Sequence, residues 1–106
     1  MYSTRIEWET IRVLDSSTLV AGYNPIGGPL IHPSIKLKLV NDSDTLVLIS
    51  KDGINDIDVA PGNSFWLYDE FVTVNHEVVP AGTQIYLKGS AGTGSIYLVS
   101  QYLLIL

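Results

Sequence analysis

Ile35-Lys36-Leu37-Lys38-Leu39-Val40, Asn41-Asp42-Ser43-Asp44 and Thr45-Leu46-Val47-Leu48-Ile49, read as one continuous stretch, decide the fold. In the first part Leu37 and Leu39 alternate with Lys36 and Lys38, the two-residue period of a strand with one buried and one wet face. The last part is unbroken apolar sequence with β-branched members, which suits a strand covered on both faces. Between them, Asn, Asp and Ser make a turn cluster, because their side chains bond their own backbone in turns. Two such runs joined by a short polar connection predict a hairpin.

The same short period continues in both directions. Upstream, Ile11, Val13 and Leu14 form a candidate strand and residues 19–22 a candidate edge strand. Pro25, Gly27, Gly28, Pro29 and Pro33 then punctuate a stretch in which neither helix nor central strand persists. Downstream, Lys51-Asp52-Gly53 and Pro61-Gly62 are turn signals on either side of a short strand at 57–59. Ser64-Phe65-Trp66-Leu67-Tyr68 is aromatic and β-prone. Phe71-Val72-Thr73-Val74 and Val78-Val79 are shorter candidates, and 83–88 and 95–102 are the last two strands. No stretch repeats apolar residues at helical spacing. Seven to nine strands with a turn signal every eight to twelve residues predict an antiparallel β-sandwich, jelly-roll-like, in one domain over residues 1–106.

Composition narrows the function. The 106 residues contain no cysteine, which removes disulfides, thiolate ligands and a Cys nucleophile together. Charged residues are 16 % of the chain against 46 % apolar, so part of a small surface is expected to be covered by something else. Six Lys and Arg against eleven Asp and Glu leave a net charge of −5, the wrong sign for phosphate, and nucleic acid is not an expected partner. The polar opening, Met1-Tyr2-Ser3-Thr4-Arg5-Ile6-Glu7-Trp8-Glu9, has no signal-peptide pattern and reads as an N-terminal arm. Apolar runs are far shorter than the ~20 residues that span a bilayer, so the expectation is a soluble chain without a membrane partner.

The motifs that suggest chemistry have plainer readings. Gly89, Gly92 and Gly94 imitate a phosphate loop, but a strand rather than a helix follows, and a glycine hairpin loop is the expectation. Asp52, Asn55, Asp56 and Asp58 are hard oxygen ligands whose spacing does not match a Ca²⁺ loop. His32 and His76 have no local nucleophile, and Asp69 and Glu70, the adjacent acidic pair, point to opposite faces of a strand. No enzyme activity, cofactor or metal is expected.

Apolar residues in excess of one sandwich's needs are more informative. Phe65 and Leu67 share one face and Trp66 and Tyr68 the other; around Tyr97 both faces are apolar; and the chain closes on Tyr102-Leu103-Leu104-Ile105-Leu106. That ending, an apolar tail over 103–106, is either a strand tucked into the sheet or a subunit interface. Trp66, Tyr68, Tyr97, Tyr102, Leu103, Leu104 and Leu106 are the interface candidates.

Three stretches carry a resemblance. They are Ile11-Arg12-Val13-Leu14-Asp15-Ser16-Ser17-Thr18-Leu19 with Gly27-Gly28-Pro29-Leu30; Asp52-Gly53 leading to Pro61-Gly62-Asn63-Ser64-Phe65-Trp66-Leu67-Tyr68-Asp69; and, most specific, Pro80-Ala81-Gly82-Thr83-Gln84-Ile85-Tyr86-Leu87-Lys88-Gly89-Ser90-Ala91-Gly92-Thr93-Gly94-Ser95-Ile96-Tyr97-Leu98-Val99. Together they resemble small virion proteins of tailed bacteriophages, as in crAss-like phages and marine podoviruses. The resemblance spans residues 10–100; the first nine residues and 103–106 lie outside it. It implies a structural role as a capsid auxiliary or decoration protein, in several copies or as a homo-oligomer, bound to the major capsid protein or other virion proteins. It further implies assembly in the host cytoplasm and residence in the virion, with no catalytic residues. A tail or connector position is a variant. The alternative of another class is a carbohydrate-binding host-attachment module that uses Trp8, Tyr23 and Trp66.

Overall fold

The computed structural model describes residues 4–69 and 79–105, with the backbone path alone for residues 4, 5, 69 and 103–105. Nine strands account for the regular structure of these residues. They are β1 (Thr4–Trp8), β2 (Arg12–Asp15), β3 (Asn24–Pro25), β4 (Ser34–Ser43), β5 (Val47–Ser50), β6 (Asp58–Ala60), β7 (Ser64–Asp69), β8 (Tyr86–Gly89) and β9 (Gly94–Ile105). A single 3-10 turn, Ser16–Thr18, is started by Asp15, whose carboxylate accepts the Ser17 N–H.

The pairing is nested. β5 pairs with β6, β4 with β7, β3 with β8, and β1 and β2 with β9, all antiparallel. The chain is thus one long folded-over ribbon whose pairs fall alternately into two sheets, the jelly-roll arrangement. β9 then pairs with β4 and β8 with β5. One sheet runs β1-β9-β4-β7 with β2 beside β1 on β9; the other runs β3-β8-β5-β6. The expected antiparallel sandwich is what the chain forms.

Leu37, Leu39, Ile96 and Leu98 from the first sheet meet Val47, Ile49, Ala60 and Leu87 from the second, and Leu19, Ile26, Leu30 and Ile85 from connections close the core. Every one of these is aliphatic. Among the described residues no aromatic side chain is fully buried, so the aromatics lie at the margins or outside.

The expected hairpin between residues 35–40 and 45–49 does not form. Residues 41–43 extend β4 instead of turning, and the chain crosses to the other sheet before β5. The reason lies in Asn41, which is fully buried and donates its amide to the carbonyls of Thr45 (2.8 Å), Ala60 (3.0 Å) and Pro61 (3.1 Å). One side chain thereby fixes the corner and sets Leu39 across the core from β5, not beside it. Asn41→Ala leaves buried carbonyls without a donor and is expected to cost about 2 kcal/mol, read as a lower urea midpoint at unchanged slope.

Other expectations shift at the ends. Thr4–Trp8, expected as an arm, pairs with residues 101–105, so residues 103–105 of the expected tail supply three of the five positions opposite it. Residues 19–22 form no strand, because Leu19 leaves the 3-10 turn directly into the core. Pro25 is tolerated in β3 because that two-residue strand is at an edge. Residues 89–94 link β8 to β9 across the two sheets and are not a hairpin loop. The candidate strand at 71–74 lies outside the described residues.

Candidate functional site

Alternation along each strand assigns two faces to the five-stranded sheet. Inward go Leu37 and Leu39 of β4, Ile96, Leu98 and Ser100 of β9, and Trp66 of β7. Outward go their neighbours, in cross-strand rows fixed by the register. Val13, Tyr97, Val40 and Phe65 form one row, and Val99, Lys38 and Leu67 the next. Beyond these Trp8 is opposite Gln101.

This outer face is largely apolar and open. Phe65 is 62 % exposed, Trp8 59 %, Val13 53 % and Leu67 45 %. Large side chains scattered singly would need no explanation, but contiguous ones on a sheet face mark an interaction surface. A shallow trough of about 330 Å³ runs over Val40 between Phe65 and Tyr97. The Lys38 ammonium is 5.8 Å from the Phe65 ring centre, so its stem lies along the apolar row and its charge stays in water.

The interface candidates separate accordingly. Tyr97 is on the outer face. Trp66 is turned inward against the core with its indole N–H on the Asp58 carboxylate, and its ring stacks on Tyr68 at 6.3 Å. The residues of β7 on the outer face of the sheet are Phe65 and Leu67, while Tyr68, on the Trp66 side of the strand, is still 37 % exposed. The Asp58 partner holds the Trp66 side of the strand in. Trp66 and Tyr68 line a groove of about 690 Å³ with Ile57, Gln84 and Tyr86. Tyr102 stacks on His32 with ring centres 3.8 Å apart. Leu103 and Leu104 take their places in β9 opposite Ile6 and Arg5. Leu106, His76 and Glu70 lie outside the described residues.

A second cluster was not anticipated from the sequence. Glu9 follows β1 with its side chain only 2 % exposed. Its carboxylate accepts from Arg12 Nη2 (2.9 Å), the Ile31 N–H (3.1 Å), the His32 N–H (2.6 Å) and His32 Nδ1 (3.0 Å). Arg12 also donates to the carbonyls of Gly28 (2.8 Å) and Pro29 (2.9 Å). Burial pushes the Glu9 carboxyl up, but hydrogen bonds from Arg12, Ile31 and His32 outweigh it and hold the group at about 2. A general acid or base works best near the operating pH. A fixed carboxylate with both oxygens engaged suits a staple on the irregular Pro/Gly stretch.

The acidic loop is likewise used internally. The Asp52 carboxylate accepts from the N–H groups of Ile54 and Asn55, both at 2.8 Å, and from Ser50, which keeps it well below the usual carboxylate range. Asp56 accepts from the Tyr23 hydroxyl and lies 3.2 Å from the Lys88 ammonium. Burial and that carboxylate push the Tyr23 hydroxyl up to about 12. Asp58 is committed to Trp66 and to the Val59 N–H. The three carboxylates face different partners and do not converge on a point. Of the three aromatics considered for sugar binding, Tyr23 and Trp66 are tied to Asp56 and Asp58, and Trp8 is on the other sheet's outer face from Tyr23.

No family model matches the chain, and no curated protein matches it. Among solved structures it is similar to a protein of the endospore appendages of Bacillus, described as a novel family of disulfide-linked pili. The likeness covers 98 % of this chain and 91 % of that one, at 14 % identity and a TM-score of 0.51. At that identity it speaks for the fold alone. The disulfide linkage has no counterpart in these 106 residues, which contain no cysteine.

Proposed function

We propose that this chain is a structural subunit of a bacteriophage particle, a capsid auxiliary or decoration protein. It holds to the major capsid protein or to neighbouring copies by non-covalent packing and carries out no reaction. The observation that carries this reading is the open apolar row Val13-Tyr97-Val40-Phe65 on a sheet whose other face already has a complete core. A single domain gains nothing from exposing that row to water, whereas a subunit gains its binding energy there. The resemblance to small virion proteins agrees in kind. The fold's likeness to a protein of disulfide-linked pili is a likeness of fold, and this chain has no cysteine with which to copy the linkage.

The test is incorporation into particles. Phe65→Asp places a carboxylate at an exposed position, so the variant is expected to fold with an unchanged circular dichroism spectrum. Its amount in purified particles, measured by quantitative mass spectrometry, is expected to fall at least about tenfold, since a buried unpaired charge costs several kcal/mol. A folded variant incorporated at the normal level would remove this face from the function. Absence of the unmodified chain from particles would remove the function itself.

A further inference from the structure

We infer that the outer face of the five-stranded sheet is filled by a second copy of this chain, packed face to face with its strands reversed about a two-fold axis through Val40. The inference rests on the structural-subunit reading and names which partner takes this face. Its basis is the order of charge along the strands. The apolar row Val13-Tyr97-Val40-Phe65 is bordered on one side by Asp15, Ser95 and Asp42 and on the other by Val99, Lys38 and Leu67, all in cross-strand register. The face is therefore acidic at one end and apolar in the middle, with Lys38 on the other side and, one row beyond, Lys36 in register with Asp69. Asp42 and Lys38 stand two residues to either side of Val40 on the same strand face, about 13 Å apart at the usual rise.

Such a face is complementary to itself when turned round. A two-fold axis lying in the interface and crossing the strands at Val40 brings Lys38 of one copy over Asp42 of the other, and the converse contact follows by symmetry. An axis along the strands would not do this, because it keeps each charge at its own level. The other acids of the four-stranded sheet and its loop, Asp52, Asp56 and Asp58, do not lie on this face, so two chains of net charge −5 can approach here without stacking like charges. Size agrees as well. Ile11, Val13, Phe65 and Leu67 at 45–62 % exposure, with half-buried Val40, Tyr97 and Val99 and the flanking charged stems, offer roughly 700 Å² per copy, against about 800 Å² per partner in a standard interface. Sheets packed face to face keep their strands within about 30° of alignment, which the reversed arrangement allows. Trp8 and Ile6, two to three rows from the axis, remain at the rim for contacts with the particle.

Sedimentation equilibrium of the full chain at low salt tests this. The expected result is a dimer, with Lys38→Asp or Asp42→Lys alone raising Kd at least about tenfold, because each reversal sets two like-charge contacts in one dimer. The combined variant Lys38→Asp/Asp42→Lys is expected to recover Kd to within about threefold of the original. Both positions are exposed, and unchanged circular dichroism confirms folding. A monomer at every concentration overturns the inference, as does a dimer indifferent to either reversal or a combined variant weaker than both. A monomer that still enters particles would sink the second copy and leave the virion reading standing; a dimer absent from particles would do the reverse.

Discussion

Gly94→Ala is expected to lower the melting temperature by about 15 °C, close to 3 kcal/mol for a domain of this size. Gly94 opens β9 with φ +121, a conformation that L side chains rarely adopt. A Cβ there would lie against the Asp42 carbonyl oxygen and 2.8 Å from the Ser43 Cα, both of them backbone atoms of the central strand β4. Neither can retreat like a flexible side chain, since Asp42 and Ser43 are in register with Ser95 and Gly94 themselves. Strain and clash therefore add. Gly22→Ala is the control: no atom lies within 4 Å of the added carbon and φ is not positive, so melting should change little or rise slightly as the unfolded chain loses freedom. Thermal denaturation of the two variants side by side distinguishes them. A loss of only a few degrees at Gly94 would mean that the β8–β9 crossing yields, and that the close approach of β9 to β4 does not require glycine there.

That crossing shows what a sequence can and cannot disclose here. Strands announce themselves by alternation, and β4, β7 and β9 are all legible from residues such as Leu37, Leu39, Phe65 and Ile96. Partners do not. Residues 35–40 and 45–49 look like a hairpin because pairing with the next strand is the commonest solution. The buried Asn41 amide overrules it by gathering the carbonyls of Thr45, of Ala60 at the end of β6 and of Pro61 just after it. The meaning of the Gly89, Gly92 and Gly94 run changes with it, from freedom in a loop to close approach between strands. β1 carried a signal that a polar reading of the N-terminus hid: Ile6 and Trp8 flank Glu7 with strand periodicity.

The surface was legible only in part. An excess of apolar residues over what one core needs led to the expectation of spare apolar surface, and the outer face of the five-stranded sheet, with Tyr97 on it, is apolar and exposed. The choice between Phe65 with Leu67 and Trp66 with Tyr68 cannot be made by period, since both sets are apolar. It is made by Asp58, which holds the Trp66 indole from the neighbouring sheet. Glu9 was invisible for another reason. A carboxylate is seldom buried, and one Glu among eleven acids carries no mark of the four donors that the fold brings to it.

That buried carboxylate sets the protein's response to acid. With its group at about 2 in the folded chain against 4.5 as the ordinary value, Glu9 binds its proton less readily when folded than when unfolded. Its contribution is therefore fully present above pH 4.5 and is lost as the pH falls towards 2, about 3 kcal/mol in all at 1.36 kcal/mol per pH unit. Glu9→Gln should forfeit this at pH 7 and also leave the Arg12 guanidinium, 9 % exposed, without its countercharge, so a loss of 3 kcal/mol or somewhat more is expected. The decisive feature is the shape of the pH profile. Denaturant titrations at pH 7, 4.5, 3 and 2 should show the original chain losing stability steeply below pH 4.5 and the variant changing far less over the same interval. The two should converge within about 1 kcal/mol at pH 2, where Glu9 is itself about half protonated and most of its contribution has gone. Parallel profiles would mean that other carboxylates govern acid unfolding and that the Glu9 staple is incidental. Convergence would identify the contact of Glu9 with residues 31–32 as what anchors the irregular stretch, and with it the edge of the sheet where β1 and β2 meet β9.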